Sequence, residues 1–401
     1  MANQKRQFLR LPWIMATLAG IAIPLWPRAS IAVQAPIETM VPVGQPIAQT
    51  PNIVDTPGGP TLNAEGLALY EQGRFQEALV LFEQLLTLRQ EKLAQDNPLL
   101  AVAINNVAEV NRALGNYEVA EPLYQEALEL YEISLPSDHP EIATTLNNLG
   151  LTYIELGRYA EAEPLFQRAI AIQEKVAIPG LLARAYNNLG ELYRRQGRYD
   201  LAIDYYQRSI NQTLQTTGPN SPDMGLASSN LGLAEQQRGN YAAAEELFLK
   251  AIDIYRTAFG DTHPNLALGM LNLGGLYQAQ GRYDEVEELY NAALEIQLNV
   301  YGEQHPTVTQ TLASFGMLYQ LQGRYDDAET YFQRAIAINN QIFGPDSIPA
   351  AALSNRLGEL YRLAGRFAEA ESASLKALNL QAQRLGESHP DYAGTLNNLG
   401  L

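Results

Sequence analysis

Residues 145–176 read TLNNLGLTYIELGRYAEAEPLFQRAIAIQEKV, and the tripeptide Gly157-Arg158-Tyr159 at the centre of this stretch decides the fold. The same Gly-Arg/Asn-Tyr/Phe signature begins at Gly73, Gly115, Gly197, Gly239, Gly281, Gly323 and Gly365. The spacing is 42 residues throughout, except for 40 between Gly157 and Gly197. Self-similarity at one fixed period marks a repeat array, which has to be recognised before any other reading of the fold.

Apolar residues at helical spacing predict two amphipathic helices per unit, over 141–156 and 160–175. Gly157 falls where the first helix must stop and can take the left-handed conformation that closes a helix. Pro164 is expected in the opening turn of the second helix, where no intrahelical bond is lost. Gly66, Gly150, Gly190, Gly232, Gly274, Gly316 and Gly358 recur in the middle of the first helices. A mid-helix Gly costs about 1 kcal/mol against Ala, so its repetition predicts close approach of the partner helix. Ala162 and Ala244 and their equivalents supply the matching small surface, and aromatics such as Phe166, Phe248 and Tyr290 fill the remaining space.

The pattern L-x-x-L-G-x-x-Y followed by G-R-Y-x-x-A-x-x-x-F, from Leu146 to Phe166, resembles a tetratricopeptide repeat. The period of 42, the LNNL sequence and the His-Pro linker resemble the variant found in kinesin light chains and in many bacterial arrays. The resemblance implies an all-α, right-handed superhelical α-solenoid of tandem helix-turn-helix units.

Eight units are expected at 61–98, 99–140, 141–180, 181–222, 223–264, 265–306, 307–348 and 349–390, followed at 391–401 by the first helix of an incomplete ninth. The third unit lacks the His-Pro linker and carries Ile178-Pro179-Gly180 instead. The first helix at 391–401 has no second helix to pack on, which would leave Leu396, Leu399 and Leu401 partly bare. Ahead of the array, residues 1–32 read as a secretory signal peptide. Lys5, Arg6 and Arg10 give the positive start, 11–26 is uncharged and mostly apolar, and Ser30-Ile31-Ala32 offers a cleavage site before Val33. Sixteen residues interrupted by Pro12 and Pro24 are short for a membrane span. Residues 33–60, with six prolines and two charges, read as a flexible tether. The expected location is therefore outside the cytoplasmic membrane, after cleavage near Ala32 and without stable membrane insertion.

The formal charge of −17 argues against nucleic-acid binding, which needs clustered Lys and Arg. The absence of cysteine removes disulfides and thiolate chemistry. No phosphate-binding loop, dinucleotide fingerprint, HExxH or GxSxG sequence occurs, so neither catalysis nor a cofactor is expected. The four histidines, His139, His263, His305 and His389, each precede a Pro at a point where other units hold Asn97, Ser221 and Ser347. That substitution pattern predicts helix caps rather than a metal row. Carboxylates such as Glu161/Glu163 and Glu245/Glu246 are expected to form a solvated outer surface.

One polar series needs another explanation. The second Asn of the LNNL-type sequence gives Asn106, Asn148, Asn188, Asn230 and Asn272, and Asn398 in the last helix. Asn is a poor mid-helix residue, so each amide needs a partner. In the families this chain resembles, first helices line a concave groove where asparagines grip the main chain of an extended peptide. Bonding of each amide to the adjacent repeat is the competing account. Further along the same helices stand Arg112, Arg194, Arg195 and Arg362, which predict a neutral-to-basic groove, with the negative charge on outer helices and loops. The expected function is a non-catalytic scaffold for a protein or extended peptide. The alternative implied by the resemblance is the sensor arm of a larger protein with a caspase-like protease domain. Self-association through the C-terminal end is a third reading.

Overall fold

The computed structural model describes residues 55–176, 178 and 180–399. The signal-peptide reading lies outside them, as does the tether reading up to residue 54. The described chain is all-helical. The first helices of successive units are α1 (Gly59–Glu71), α3 (Pro98–Ala113), α5 (Pro140–Glu155), α7 (Leu181–Arg195), α9 (Pro222–Arg238), α11 (Pro264–Ala279), α13 (Pro306–Leu321), α15 (Ile348–Leu363) and α17 (Pro390–Leu399). The second helices are α2 (Phe75–Lys92), α4 (Tyr117–Ser134), α6 (Tyr159–Val176), α8 (Tyr199–Thr216), α10 (Tyr241–Phe259), α12 (Tyr283–Tyr301), α14 (Tyr325–Phe343) and α16 (Phe367–Leu385). Each helix packs on the one before and the one after it, and from α3 to α11, and again between α15 and α17, first helices also touch the first helix of the next unit.

The repeated glycines let the helices of a pair approach. A Cβ on Gly150 would stand 2.7 Å from the Phe166 ring, and one on Gly274 would stand 2.4 Å from the Tyr290 ring. Phe82, Tyr124, Phe166, Tyr206, Phe248, Tyr290 and Phe332 are all fully buried, as are Ala162 and Ala244. The eighth unit departs from the pattern, since Gly358 faces Ser374. Pro164 corrects one expectation: it lies inside α6, past its first turn, and so removes a backbone donor there. It sits on the exposed face beside exposed Ala160, where water can serve the carbonyl left without a partner.

At the helix ends, Gly157 has φ +70°, its N–H bonds to the Ile154 carbonyl, and the Arg158 N–H bonds to the Tyr153 carbonyl. These two bonds close α5 with a left-handed Gly. The histidines act as caps, because Nδ1 of His139, His263, His305 and His389 each accepts the backbone N–H two residues on, at 3.1–3.3 Å. The side chains of Asn97, Ser221 and Ser347 accept the corresponding backbone N–H groups of Leu99, Met224 and Ala350.

The arginine of the repeated tripeptide latches one unit to the one before. Arg158 lies over the Tyr153 ring at 4.3 Å and bonds to Glu121 of the preceding second helix at 2.6 Å, and the Tyr153 hydroxyl donates to the same Glu121. Arg282, Tyr277 and Glu245 repeat the arrangement, as do Arg366, Tyr361 and Glu329. Glu245 and Glu163, read from sequence as solvated surface, are therefore stacking groups: Glu163 accepts the Tyr193 hydroxyl at 2.7 Å.

Successive turns of the superhelix meet. A Cβ on Gly73 would stand 2.6 Å from His305, Gly115 lies beside Ile348 and Pro349, and Gly157 lies against His389 and Pro390. Both histidine contacts span 232 residues, so one superhelical turn takes about five and a half units. The rings of Phe75 and Phe343 meet across this seam at 6.1 Å. His389 Nε2 donates to the Glu155 carbonyl at 3.0 Å while its Nδ1 accepts the Asp391 backbone N–H. Burial lowers the pKa of His305 to about 4. The last helix, α17, is thus held by the first turn as well as by α16, while Leu396 and Leu399 remain half-buried.

The seam predicts a difference between two glycines of the same repeat position. Gly323 has φ +73° with open space around it, so Gly323→Ala should cost only the left-handed strain, about 1 kcal/mol. Gly73→Ala adds the clash with His305 and should cost about 1–3 kcal/mol more. Equal melting temperatures for the two variants would show that the turns do not touch.

Candidate functional site

The asparagine series lies on the first helices, the most enclosed part of the molecule. Asn106 Nδ2 donates to Asn63 Oδ1 at 2.7 Å, Asn230 Nδ2 to Asn187 Oδ1 at 2.8 Å, and Asn398 Nδ2 to Asn355 Oδ1 at 3.2 Å. Each pair spans 43 residues and joins the second Asn of one unit to the first Asn of the unit before. The Nδ2 groups of Asn106 and Asn230 are therefore occupied by stacking, while the buried Asn106 Oδ1 has no partner. Asn63 was not singled out in the sequence, although it stands one period before Asn105.

Elsewhere this ladder is broken. Asn272 is buried and its Nδ2 has no partner, and Ser229, 43 residues earlier, has an unpartnered hydroxyl. Asn148 has no rung to Asn105, whose Oδ1 takes the Thr145 hydroxyl at 3.4 Å. Between the third and fourth units the rung from Asn188 to Asn147 is missing, and the buried Asn147 Oδ1 has no partner. This is the junction shortened by two residues. Helix α7 has 15 residues where α5 has 16, and it starts from Gly180, at φ +83° and without a side-chain cap. A pocket opens in the space left there, and Asn147, Asn148, Asn187 and Asn188 all line it.

The arginines do not make the groove basic. Arg112 pairs with buried Glu109, which also accepts the hydroxyls of Tyr70 and Tyr124 at 2.8 and 2.6 Å. Arg194 grips Glu191 with two bonds of 2.6–2.7 Å, and Arg195 pairs with Glu191 and Glu155. Arg362 is exposed, with no ion pair among the described residues. Burial raises the Glu109 carboxyl, but Arg112 and the two hydroxyls outweigh it and hold the carboxyl below its usual range. The same contest at Glu191, won by Arg194 and Arg195, brings its pKa down to about 2. Glu155 has less compensation, and burial leaves its carboxyl raised. The expectation that negative charge sits outside is corrected, because Glu109, Glu155 and Glu191 lie on first helices. The signal was present in the sequence as a Glu three residues before Arg112, Arg194, Arg238 and Arg362. Among the described residues no cluster of three or more His, Cys, Asp or Glu side chains could hold a metal, and no helix is long and apolar enough to cross a membrane.

The family model described as Tetratricopeptide repeat matches residues 60–133, 99–175, 181–257, 223–296, 266–341 and 349–401. The chain belongs to the tetratricopeptide repeat family. No curated protein sequence matches it. Among solved structures, a Rap protein complexed with Competence and Sporulation Factor is 15% identical with a TM-score of 0.52, covering 85% of this chain and 96% of its own. The apo form of RapI is 14% identical with a TM-score of 0.53, covering 71% and 99%. A kinesin light chain nearly-identical TPR-like repeat protein from Podosopora anserina is 22% identical with a TM-score of 0.43, covering 51% and 98%. At these identities the likeness concerns the fold alone, a tandem-repeat solenoid.

Two predictions follow from these bonds. Asn230→Ala strands the Asn187 carbonyl and should cost on the order of 1–3 kcal/mol, whereas Asn188→Ala breaks no rung and should stay within about 0.5 kcal/mol. Denaturant midpoints in which Asn188→Ala costs as much as Asn230→Ala would contradict this assignment. For Glu191, the folded pKa lies below its unfolded value, so its contribution is complete above pH 4.5 and fades as pH falls towards 2. That contribution is roughly 3 kcal/mol. Glu191→Gln should accordingly be destabilising at neutral pH, with the gap to the parent narrowing below pH 4.5 in pH-resolved melts.

Proposed function

We propose that the chain is a non-catalytic scaffold that holds a protein or an extended peptide against the inner face of its superhelix. The observation carrying this reading is the selective use of the asparagine series. Asn106 and Asn230 commit their Nδ2 donors to stacking, whereas Asn148 and Asn188 line a pocket and have no rung to the preceding unit. A peptide main chain offers the carboxamides both a donor and an acceptor. Four such bonds, each contributing a net of about 0.5–1.5 kcal/mol less the cost of ordering the ligand, correspond to affinity on the order of micromolar. The Rap protein solved with its bound factor supports a solenoid of this shape as a receptor for a partner. Since Arg194 and Arg195 are neutralised within the helix, the ligand preference should be set by shape and hydrogen bonding rather than by charge.

The same proposal places the mature protein outside the cytoplasmic membrane, starting at Val33, on the strength of the sequence from Lys5 to Ala32. Intact-mass measurement of the protein from its host should return the chain without residues 1–32. For the groove, peptides selected from a random display library on the full chain should bind with micromolar affinity in calorimetry. Binding should weaken at least tenfold in the Asn148→Ala/Asn188→Ala double variant, with melting temperature nearly unchanged. Affinity indifferent to that pair would place binding elsewhere.

A further inference from the structure

The shortened third unit places a pocket at one junction of the array, and its lining specifies a ligand. This step rests on the scaffold reading above and makes it specific. Leu151 on α5, Leu181 and Ala183 on α7, and Leu226 and Ala227 on α9 give it aliphatic walls, and although Thr144, Ser209, Thr213 and the carboxamides also line it, most of the surface it exposes is apolar. Two side chains more than nine-tenths buried in this lining have oxygens without a partner, Asn147 Oδ1 and Gln173 Oε1. One guanidinium, Arg184, and one carboxylate, Asp223, also line the pocket, so its charges balance.

An unpaired buried carboxamide oxygen costs on the order of 1–3 kcal/mol, and a ligand supplying a donor recovers that cost. Water could supply the donor, but the aliphatic walls favour a ligand that also fills them. We propose that this pocket is a specificity subsite for one uncharged aliphatic side chain of an extended peptide. The neighbouring main-chain amides of that peptide engage Asn147 and Gln173. A peptide group carries both N–H and C=O and therefore suits a carboxamide in either orientation. The balanced charges favour an apolar guest over a charged one. The junction from Asn187 to Asn230, which keeps the 42-residue spacing, should lack this selectivity, because its rung is closed.

The test uses the full chain and capped nonapeptides of glycine and serine with one central guest residue, Leu, Ala, Asp or Lys, titrated by calorimetry. The Leu peptide should bind roughly tenfold or more tighter than the others, the discrimination expected of an apolar pocket. Two variants then address the pocket. Leu181→Trp fills it from a half-buried position. Inserting two residues between Val176 and Leu181 restores the 42-residue spacing and should let Asn188 reach Asn147. Both should abolish the preference for Leu, and the insertion should do so without loss of thermal stability, which guards against misfolding of the Trp variant. Equal binding of the Leu and Ala peptides overturns the subsite. So does a Leu preference that survives the insertion, since it would locate selectivity elsewhere while leaving the scaffold reading intact. No binding by any peptide, with the chain folded, overturns both readings.

Discussion

The contact on which the rest depends is that of an aromatic ring lying where a Cβ would be. At Gly150, Gly190, Gly232, Gly274 and Gly316 the ring of the second helix occupies space that any other residue would need, at 2.4–2.8 Å from the missing atom. Each such Gly gives up about 1 kcal/mol of helix propensity and lets two helices approach closely enough to bury a whole Phe or Tyr, worth about 1.5–3 kcal/mol. The trade is favourable in each unit that makes it, and repeating it in six of the eight units, with Ala108 in the second and Ser374 facing Gly358 in the eighth as the exceptions, sets a common geometry for the pairs. Fixing the pair fixes the rotation from one unit to the next. A constant rotation determines how many units complete a turn. The seam from Gly73 to His305 and from Gly157 to His389 is the consequence.

That seam changes the character of the array. In an ordinary solenoid each unit contacts only its neighbours, and stability is a sum of local terms. Here the turn glycines of the first three units receive the N-terminal ends of α13, α15 and α17, so residues about five and a half units apart support one another. The His-Pro element thus has two roles. His139 and His263 cap a helix, while His305 and His389 cap a helix and also seat it on the previous turn.

Most of the architecture was legible in the sequence because it repeats. The helices around Gly157 fall within a residue or so of their expected bounds, and the facing glycine and aromatic were readable from spacing alone. The seam was not legible: nothing local distinguishes His305 from His263, and the difference lies in how many units precede each. The site was legible only in part. The Asn series was visible, but its division into stacking and unpartnered members depends on what the preceding unit places opposite each amide: Asn63, Asn187 and Asn355 close a rung, whereas Ser229 and the shifted Asn147 do not. The groove charge differs from the sequence expectation because Arg112 and Arg194 are neutralised by Glu109 and Glu191 one turn earlier. An arginine on a helix face is half of a statement until the residue three positions before it is read.

The two irregularities of the molecule, the seam and the shortened unit, fall in complementary places. The seam ties the first three units to the last ones, whereas the turns at Gly197 and Gly239, in the fourth and fifth units, have no such contact. The pocket lies where these two regimes meet, between α5, on the supported side, and α7 and α9, on the other. A groove closed by long-range contacts cannot widen there without parting them, so a ligand meets a preorganised surface on one side. On the other, only neighbour contacts resist a small rotation, and opening costs least where cooperative support is weakest. A binding site benefits from both properties, since rigidity lowers the entropy lost on association and local compliance lets the ligand enter. The deletion of two residues therefore does more than remove a cap. It unpairs Asn147 at the boundary between the locked and unlocked parts of the superhelix, where an unsatisfied carboxamide can be met by a ligand at the least structural cost.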